Sequence, residues 1–226
     1  MVLAGGVRLR AFPWWVDAVE NLRNIANAHR VEAQVNADAH AGVYTGKRGA
    51  MIVDVVASRQ RNYLARVRPI VARWEAANEQ HSIYWLAEHP LDATQFGLSE
   101  AEAVTILEVA RNLRGYAVTE GLPGPREEDA VCSRWAQGRG QLEHAPRLDP
   151  VVGCVKGIGL ALFAYMRMRS GADAIKPDIR VKKALRHLGF AVPDDDHAVL
   201  ILAKAAAEEI RVSRLVLDQL LWRFQS

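Results

Sequence analysis

The chain has 226 residues, of which 50% are hydrophobic and 24% charged, with a formal net charge of +3 and two cysteines. That apolar content and even complexity exclude a disordered chain. No apolar run reaches the ~18 residues of a membrane span, and two cysteines build neither a disulfide framework nor a four-cysteine metal site.

The pattern reads helical nearly throughout, with apolar residues recurring at i, i+3 and i+4. After Pro13, Trp14 to Ala28 predicts an amphipathic helix, and residues 30–45 are ambiguous, ending in the turn-prone Tyr44-Thr45-Gly46. Gly49 to Ala57 predicts a short apolar helix, and Gln60 to Ala76 a basic one kinked or split at Pro69. Ser82 to Glu88 is a short helix stopped by Pro90. Ser99 with Glu102 forms a capping-box pattern for a helix from Glu100 to Arg114, closed by Gly115. Further helices are predicted over Arg126–Gln137, Asp149–Cys154, Leu160–Arg169, Pro177–Leu188, His197–Arg211 and Ser213–Phe224. The fold class is therefore all-α. The length suits one domain or two closely packed lobes.

The first residues hold no sustained apolar stretch, so no secretory signal is expected. The expected setting is a reducing cytoplasm, with no membrane partner. No histidine or cysteine spacing suits a metal, and there is no P-loop or G-x-S-x-G motif.

Charge is unevenly placed. Residues 59–73 hold five arginines and no acid, and residues 156–190 carry a net +6, so the rest of the chain carries −8. Two basic segments read either as solvated helix faces or as a phosphate-binding side. The second contains a glycine turn, Lys156-Gly157-Ile158-Gly159, opening directly into a helix. Glycines let a turn reach positive φ and bring N–H groups against a phosphate, and the helix that follows presents its positive end. The same four residues also suit an ordinary tight turn between helices. Farther on, Asp178 follows Pro177 at a helix start. A carboxylate there is a common N-cap, worth about 0.5–2 kcal/mol, and it can cap with one oxygen while presenting the other.

The run Val155-Lys156-Gly157-Ile158-Gly159-Leu160-Ala161-Leu162-Phe163, followed by Pro177-Asp178-Ile179-Arg180-Val181-Lys182-Lys183-Ala184-Leu185-Arg186-His187-Leu188-Gly189, resembles the helix-hairpin-helix DNA glycosylases. Their hairpin runs L-P-G-V-G-x-K-T-A and their later segment V-D-T-H-V-x-R-V-x-x-R-L-G. Ala57-Ser58-Arg59-Gln60 and Gly97 to Ile106 are similar to two upstream segments of that family, so the likeness spans about residues 45–225.

The resemblance implies a two-lobed helix-hairpin-helix glycosylase fold with a cleft. One lobe would run from about 45 to 172, and the other would join residues 1–44 to 173–226. It implies a monomer that binds double-stranded DNA, flips a damaged or modified base and hydrolyses the N-glycosidic bond. Asp178 would be the catalytic residue. Lys156, Gly157, Ile158, Gly159, Arg180, Lys182, Arg59 and Gln60 would contact DNA, Gln60 as a wedge. Tyr84, Trp85, Trp14, Trp15 and Tyr44 are candidates to stack on the flipped base, although aromatics at helical spacing are ordinarily core.

A monovalent cation at the hairpin carbonyls is also implied. The amine of lyase-competent members aligns with Ala161, so a monofunctional enzyme using water is implied. No cysteine follows Cys154, so no iron–sulfur cluster is expected. The missing amine and cluster also motivate an alternative, a catalytically inactive DNA-binding protein on the same scaffold.

Overall fold

The structure, a computed structural model, describes residues 9–225. Among them the regular structure is helical, with no strand. The α-helices are α1 (Pro13–Gly42), α2 (Arg48–Ala57), α3 (Arg68–Ala77), α4 (Ile83–Glu88), α5 (Ala93–Phe96), α6 (Glu100–Thr119), α7 (Glu128–Gln137), α8 (Leu160–Arg169), α9 (Ile179–His187), α10 (Asp196–Glu209) and α11 (Arg214–Leu221). The chain divides into two units, Met1–His40 with Asp173–Ser226, and Ala41–Ala172.

The Ala41–Ala172 unit is built around α2, every residue of which is buried. Apart from Arg48 and Asp54 its residues are apolar or glycine, so it must be enclosed, and α3, α4, α6, α7 and α8 pack around it. Gly49 allows a close approach of the chain just before α4. A Cβ there would lie 2.5 Å from the Ser82 carbonyl oxygen, and the Gly49 N–H donates to the His81 carbonyl at 2.8 Å. Glu128 then caps two helices at once, accepting from the Arg48 N–H at 3.1 Å and the Ile83 N–H at 2.8 Å.

Two charged residues are buried at the centre of this unit. Arg169 ends α8 and pairs with Asp54 of α2 at 3.0 Å, their side chains 3% and 1% exposed. The Tyr165 hydroxyl donates to Asp54 at 2.9 Å, and Arg169 donates to the hydroxyls of Tyr63 and Tyr165, each at 2.8 Å. The rings of Tyr44, Tyr63 and Tyr165 surround the guanidinium at 5.2–5.8 Å. Burial, with Asp54 adding to it, pushes the Tyr165 hydroxyl far up, so it stays protonated as a donor.

In the other unit α1 buries Trp15, Ala18, Val19, Leu22 and Ala26 at helical spacing. Asn21 donates to the Leu188 carbonyl at 3.2 Å, and Arg30 to the Ile210 carbonyl at 3.1 Å, closing the ends of α9 and α10.

Several elements differ from the sequence reading. The helix expected to stop at Ala28 runs to Gly42. Gly115 does not close α6, which continues to Thr119. Its position is exposed, and the ~1 kcal/mol that a mid-helix glycine costs is small against a twenty-residue helix. Asp149–Cys154 is a series of turns and not a helix. The Gln60–Ala76 segment begins instead with a wide turn over Tyr63–Val67, and Pro69 sits in the first turn of α3.

Replacing Arg169 with Met leaves Asp54 buried and uncompensated. Urea unfolding is expected to show a loss of about 3–5 kcal/mol, whereas Arg68→Met, at an exposed site, stays within about 0.5 kcal/mol.

Candidate nucleic-acid interface

The glycine turn leads into α8, and its backbone is held from below by side chains. Asp149, fully buried, accepts from the N–H groups of Val152 and Gly153 at 2.7 and 2.8 Å, from Trp135 Nε1 at 3.2 Å and from Arg139 at 2.8 Å. Asn112 donates to the Val151 carbonyl at 2.9 Å, and Arg147 to those of Cys154 and Val155 at 3.2 and 3.3 Å. The Thr105 hydroxyl donates to the Lys156 carbonyl at 2.9 Å, and Arg59 to the Gly157 carbonyl at 2.5 Å. The apolar residue of the turn, Ile158, is wholly buried and anchors it.

The two glycines serve different purposes. Gly157 has φ +97, and a Cβ on it would strike Arg59 and Thr105 at 2.6 and 2.7 Å. Gly159 has φ −98, and a Cβ there would meet nothing within 4 Å. Neither backbone conformation nor internal packing demands a glycine at that position, and open space lies beside it. No side chain caps α8, so its first N–H groups keep their unmet donors. Lys156 is exposed, and no partner to its side chain is found among the described residues.

The monovalent cation implied by the resemblance does not fit this backbone. An ion on these carbonyls would compete with the Arg59 and Arg147 hydrogen bonds and stand beside two guanidinium charges. Among the described residues no group of three or more acids, histidines or cysteines could hold a metal.

Arg59 therefore supports the hairpin from within. Gln60, beside it, is exposed at φ +52, a left-handed conformation that non-glycine residues seldom adopt. Glu102 completes the capping box with Ser99 and binds Arg61 through both oxygens, the Oε2 contact at 2.9 Å. Burial pushes its carboxyl up, but the Arg61 and Ser99 hydrogen bonds outweigh that and bring it down to about 2.

The five aromatic candidates are divided between the two units, Trp14 and Trp15 in one and Tyr44, Tyr84 and Trp85 in the other, and each has local partners. Tyr44 is buried against Arg169, and Trp15 is buried against Phe190 with ring centroids 5.5 Å apart. Trp14 stacks on Phe12 at 5.6 Å. Trp85 donates to Asn78 and is stacked by His89 at 3.7 Å, and Tyr84 donates to the Leu122 carbonyl with Arg114 over its ring. Core packing, the ordinary fate of aromatics at helical spacing, explains Trp15 and Tyr44.

In the unit containing α9, Asp178 is that helix's N-cap. Its Oδ1 accepts from the N–H groups of Arg180 and Val181 at 3.1 and 3.0 Å. Its Oδ2 lies outside those bonds, 4.0 Å from Lys176 Nζ, and the side chain is 26% exposed. Arg180, expected at a phosphate, is instead held internally. It donates to Asp218 at 3.0 Å, lies 3.9 Å above the Trp222 ring, and has Nε 3.8 Å from Asp178 Oδ1. Lys182 is likewise engaged, by Asp196 at 2.7 Å and the Asp194 carbonyl at 2.5 Å. Asp218 was not singled out from the sequence, where it sits in the apolar run Leu215–Leu221. A charged residue inside such a run was the available signal. Burial pushes its carboxyl up, Arg180 opposes this, and Asp178 adds to it.

These features define an all-α protein with a backbone-held glycine hairpin in one unit and a carboxylate-capped helix in the other. The chain belongs to the family described as Domain of unknown function (DUF8548), whose model matches residues 93–226. That match takes in the hairpin, Asp178, Arg180 and Asp218, but not Arg59–Arg73. No curated protein and no solved structure matches the chain.

If the hairpin meets a duplex backbone, Lys156→Glu weakens binding to all duplexes alike and reduces the magnitude of the salt slope by about one. Fluorescence anisotropy over a salt series reads both. The lowered Glu102 carboxyl stabilises the folded state fully above its ordinary value of 4.5, and that contribution is lost as the pH falls through about 2. The urea midpoints of wild type and Glu102→Gln should therefore converge on acidification.

Proposed function

We propose that this chain is a monofunctional DNA glycosylase. It binds duplex DNA, takes a modified base out of the stack and hydrolyses its N-glycosidic bond with Asp178. The observation that carries the reading is the division of labour within the Asp178 carboxylate, where Oδ1 makes both helix-cap bonds and Oδ2 is left for chemistry. The sequence resemblance, the uncapped α8 start and the open space at Gly159 support it.

In this reading the hairpin N–H groups take a backbone phosphate, and Lys156 adds a sequence-independent charge. As the C1′–N bond breaks, positive charge develops on the sugar, and a negative carboxylate stabilises it. The water oxygen bonds to C1′. One water proton passes to Asp178 and on to solvent, and the departing base gains a proton. Arg180, braced by Asp218 and Trp222, fixes the surroundings of Asp178. No lysine stands at Ala161, so no covalent enzyme–sugar adduct forms.

One observation favours a second reading, a catalytically inactive DNA-binding protein. Both strong hydrogen bonds of Asp178 belong to its own helix, and Lys176 faces the other oxygen.

The test is a panel of duplexes, each with one alkylated, deaminated, oxidised or hypermodified phage-type base, scored for abasic-site formation. Wild type is expected to release one class of base, and borohydride should trap no adduct. Asp178→Asn keeps an acceptor for the cap and should lose base release while DNA affinity stays within a few-fold. Retained excision by Asp178→Asn would overturn the assignment of Asp178. Tight binding with no excision by wild type would select the inactive reading.

A further inference from the structure

Two local departures from regular structure and a cavity coincide in the first basic segment. Gln60 holds a left-handed backbone at φ +52. The Val67 N–H reaches back five residues to the Asn62 carbonyl at 3.3 Å, the wide spacing of a π turn, and such turns recur at functional sites. The same residues open onto a cavity of about 370 Å³, lined by Gln60, Arg61, Asn62, Arg66 and Arg73 together with Ala65, Pro69, Ile70 and Gly97.

The chemistry of this lining is one-sided. Three arginines and two amide residues are among the lining residues, and no acidic residue is. Arg61 is neutralised by Glu102. Arg73 uses one nitrogen on the Phe96 carbonyl at 2.9 Å and keeps its others. Asn62 accepts from the Ala65 N–H through Oδ1 at 2.9 Å, leaving its Nδ2 donors. Arg66 is exposed, and no partner to its side chain is found among the described residues. A group with three or four acceptor oxygens and a negative charge matches two guanidinium forks and an amide better than a two-oxygen carboxylate does.

We infer that this cavity is a binding site for one phosphate group, with Arg66 and Arg73 as its charged donors and Asn62 as its amide donor. The site is separate from the hairpin, and its existence does not depend on the glycosylase reading. If the chain binds DNA, the group it takes is a second backbone phosphate. Otherwise it belongs to a small phosphorylated ligand.

The test uses the full chain and two probes. Inorganic phosphate is titrated at constant ionic strength against chloride, following the arginine Nε–H resonances. Saturable shifts of Arg66 and Arg73 are expected, with Arg66→Ala lowering the affinity by about tenfold and leaving the unfolding midpoint unchanged. Absence of saturable shifts, or an equal response in Arg66→Ala, would overturn the inference.

A duplex probe then identifies the source. A salt slope smaller by about 0.9 in Arg66→Ala assigns a DNA phosphate. An unchanged slope with an intact phosphate response in wild type assigns the small ligand. Failure of the chain to bind any duplex would remove the DNA reading while leaving the phosphate titration to decide the cavity.

Discussion

The antiparallel pairing of α2 and α8 is the constraint on which the rest of the Ala41–Ala172 unit depends. It is tied at three levels. At one end Arg48, which opens α2, donates to the carbonyl of Arg169, which ends α8, at 2.9 Å. In the middle Asp54 binds Arg169 and Tyr165. At the far end Arg59, just past α2, holds the Gly157 carbonyl just before α8. Taking two charges out of water costs several kcal/mol per ion, and only close geometry with full hydrogen bonding offsets it. The tyrosine cage supplies that bonding to Arg169. Any slip of α8 along α2 would strand a buried charge.

This clamp links the core to the surface proposed to meet DNA. The hairpin cannot drift without breaking the Arg59 contact, and the cavity at Arg66 begins in the same short segment. A backbone fixed before the ligand arrives loses little ordering entropy on binding. The guanidinium groups also take the place in which a cation was expected, so the hairpin's organisation is built into the chain. In the other unit the same logic appears on a smaller scale. Arg180 is fixed by a buried aspartate and an aromatic face, and beside it Asp178 keeps one oxygen outside its cap.

Local signals were legible in the sequence where they depend on neighbours a few residues apart. The Ser99–Glu102 box and the bounds of Leu160–Arg169 are present as read, and the glycine turn lies between Asp149 and α8. Asp178 as an N-cap was readable for the same reason. What was not legible depends on distant partners. Asp54 and Arg169 lie 115 residues apart, and nothing in either segment announces the other. Arg180 and Lys182 were counted as phosphate-facing because a charge tally cannot see Asp218, Asp194 and Asp196 folding back onto them. The long α1 was cut short because its second half buries only Ala33 and Ala37, too weak a stripe to register as amphipathic.

The claim that most of this rests on is that the hairpin-bearing unit meets a phosphate backbone. The direct measurement is the affinity of the wild-type chain for an unmodified duplex of about two helical turns, taken across a range of salt concentration. Each neutralised phosphate adds about 0.9 to the slope of log K against log salt. A saturable complex at low salt with a negative slope of several units is the expected result. No complex at low salt, or one whose affinity ignores salt, would contradict it.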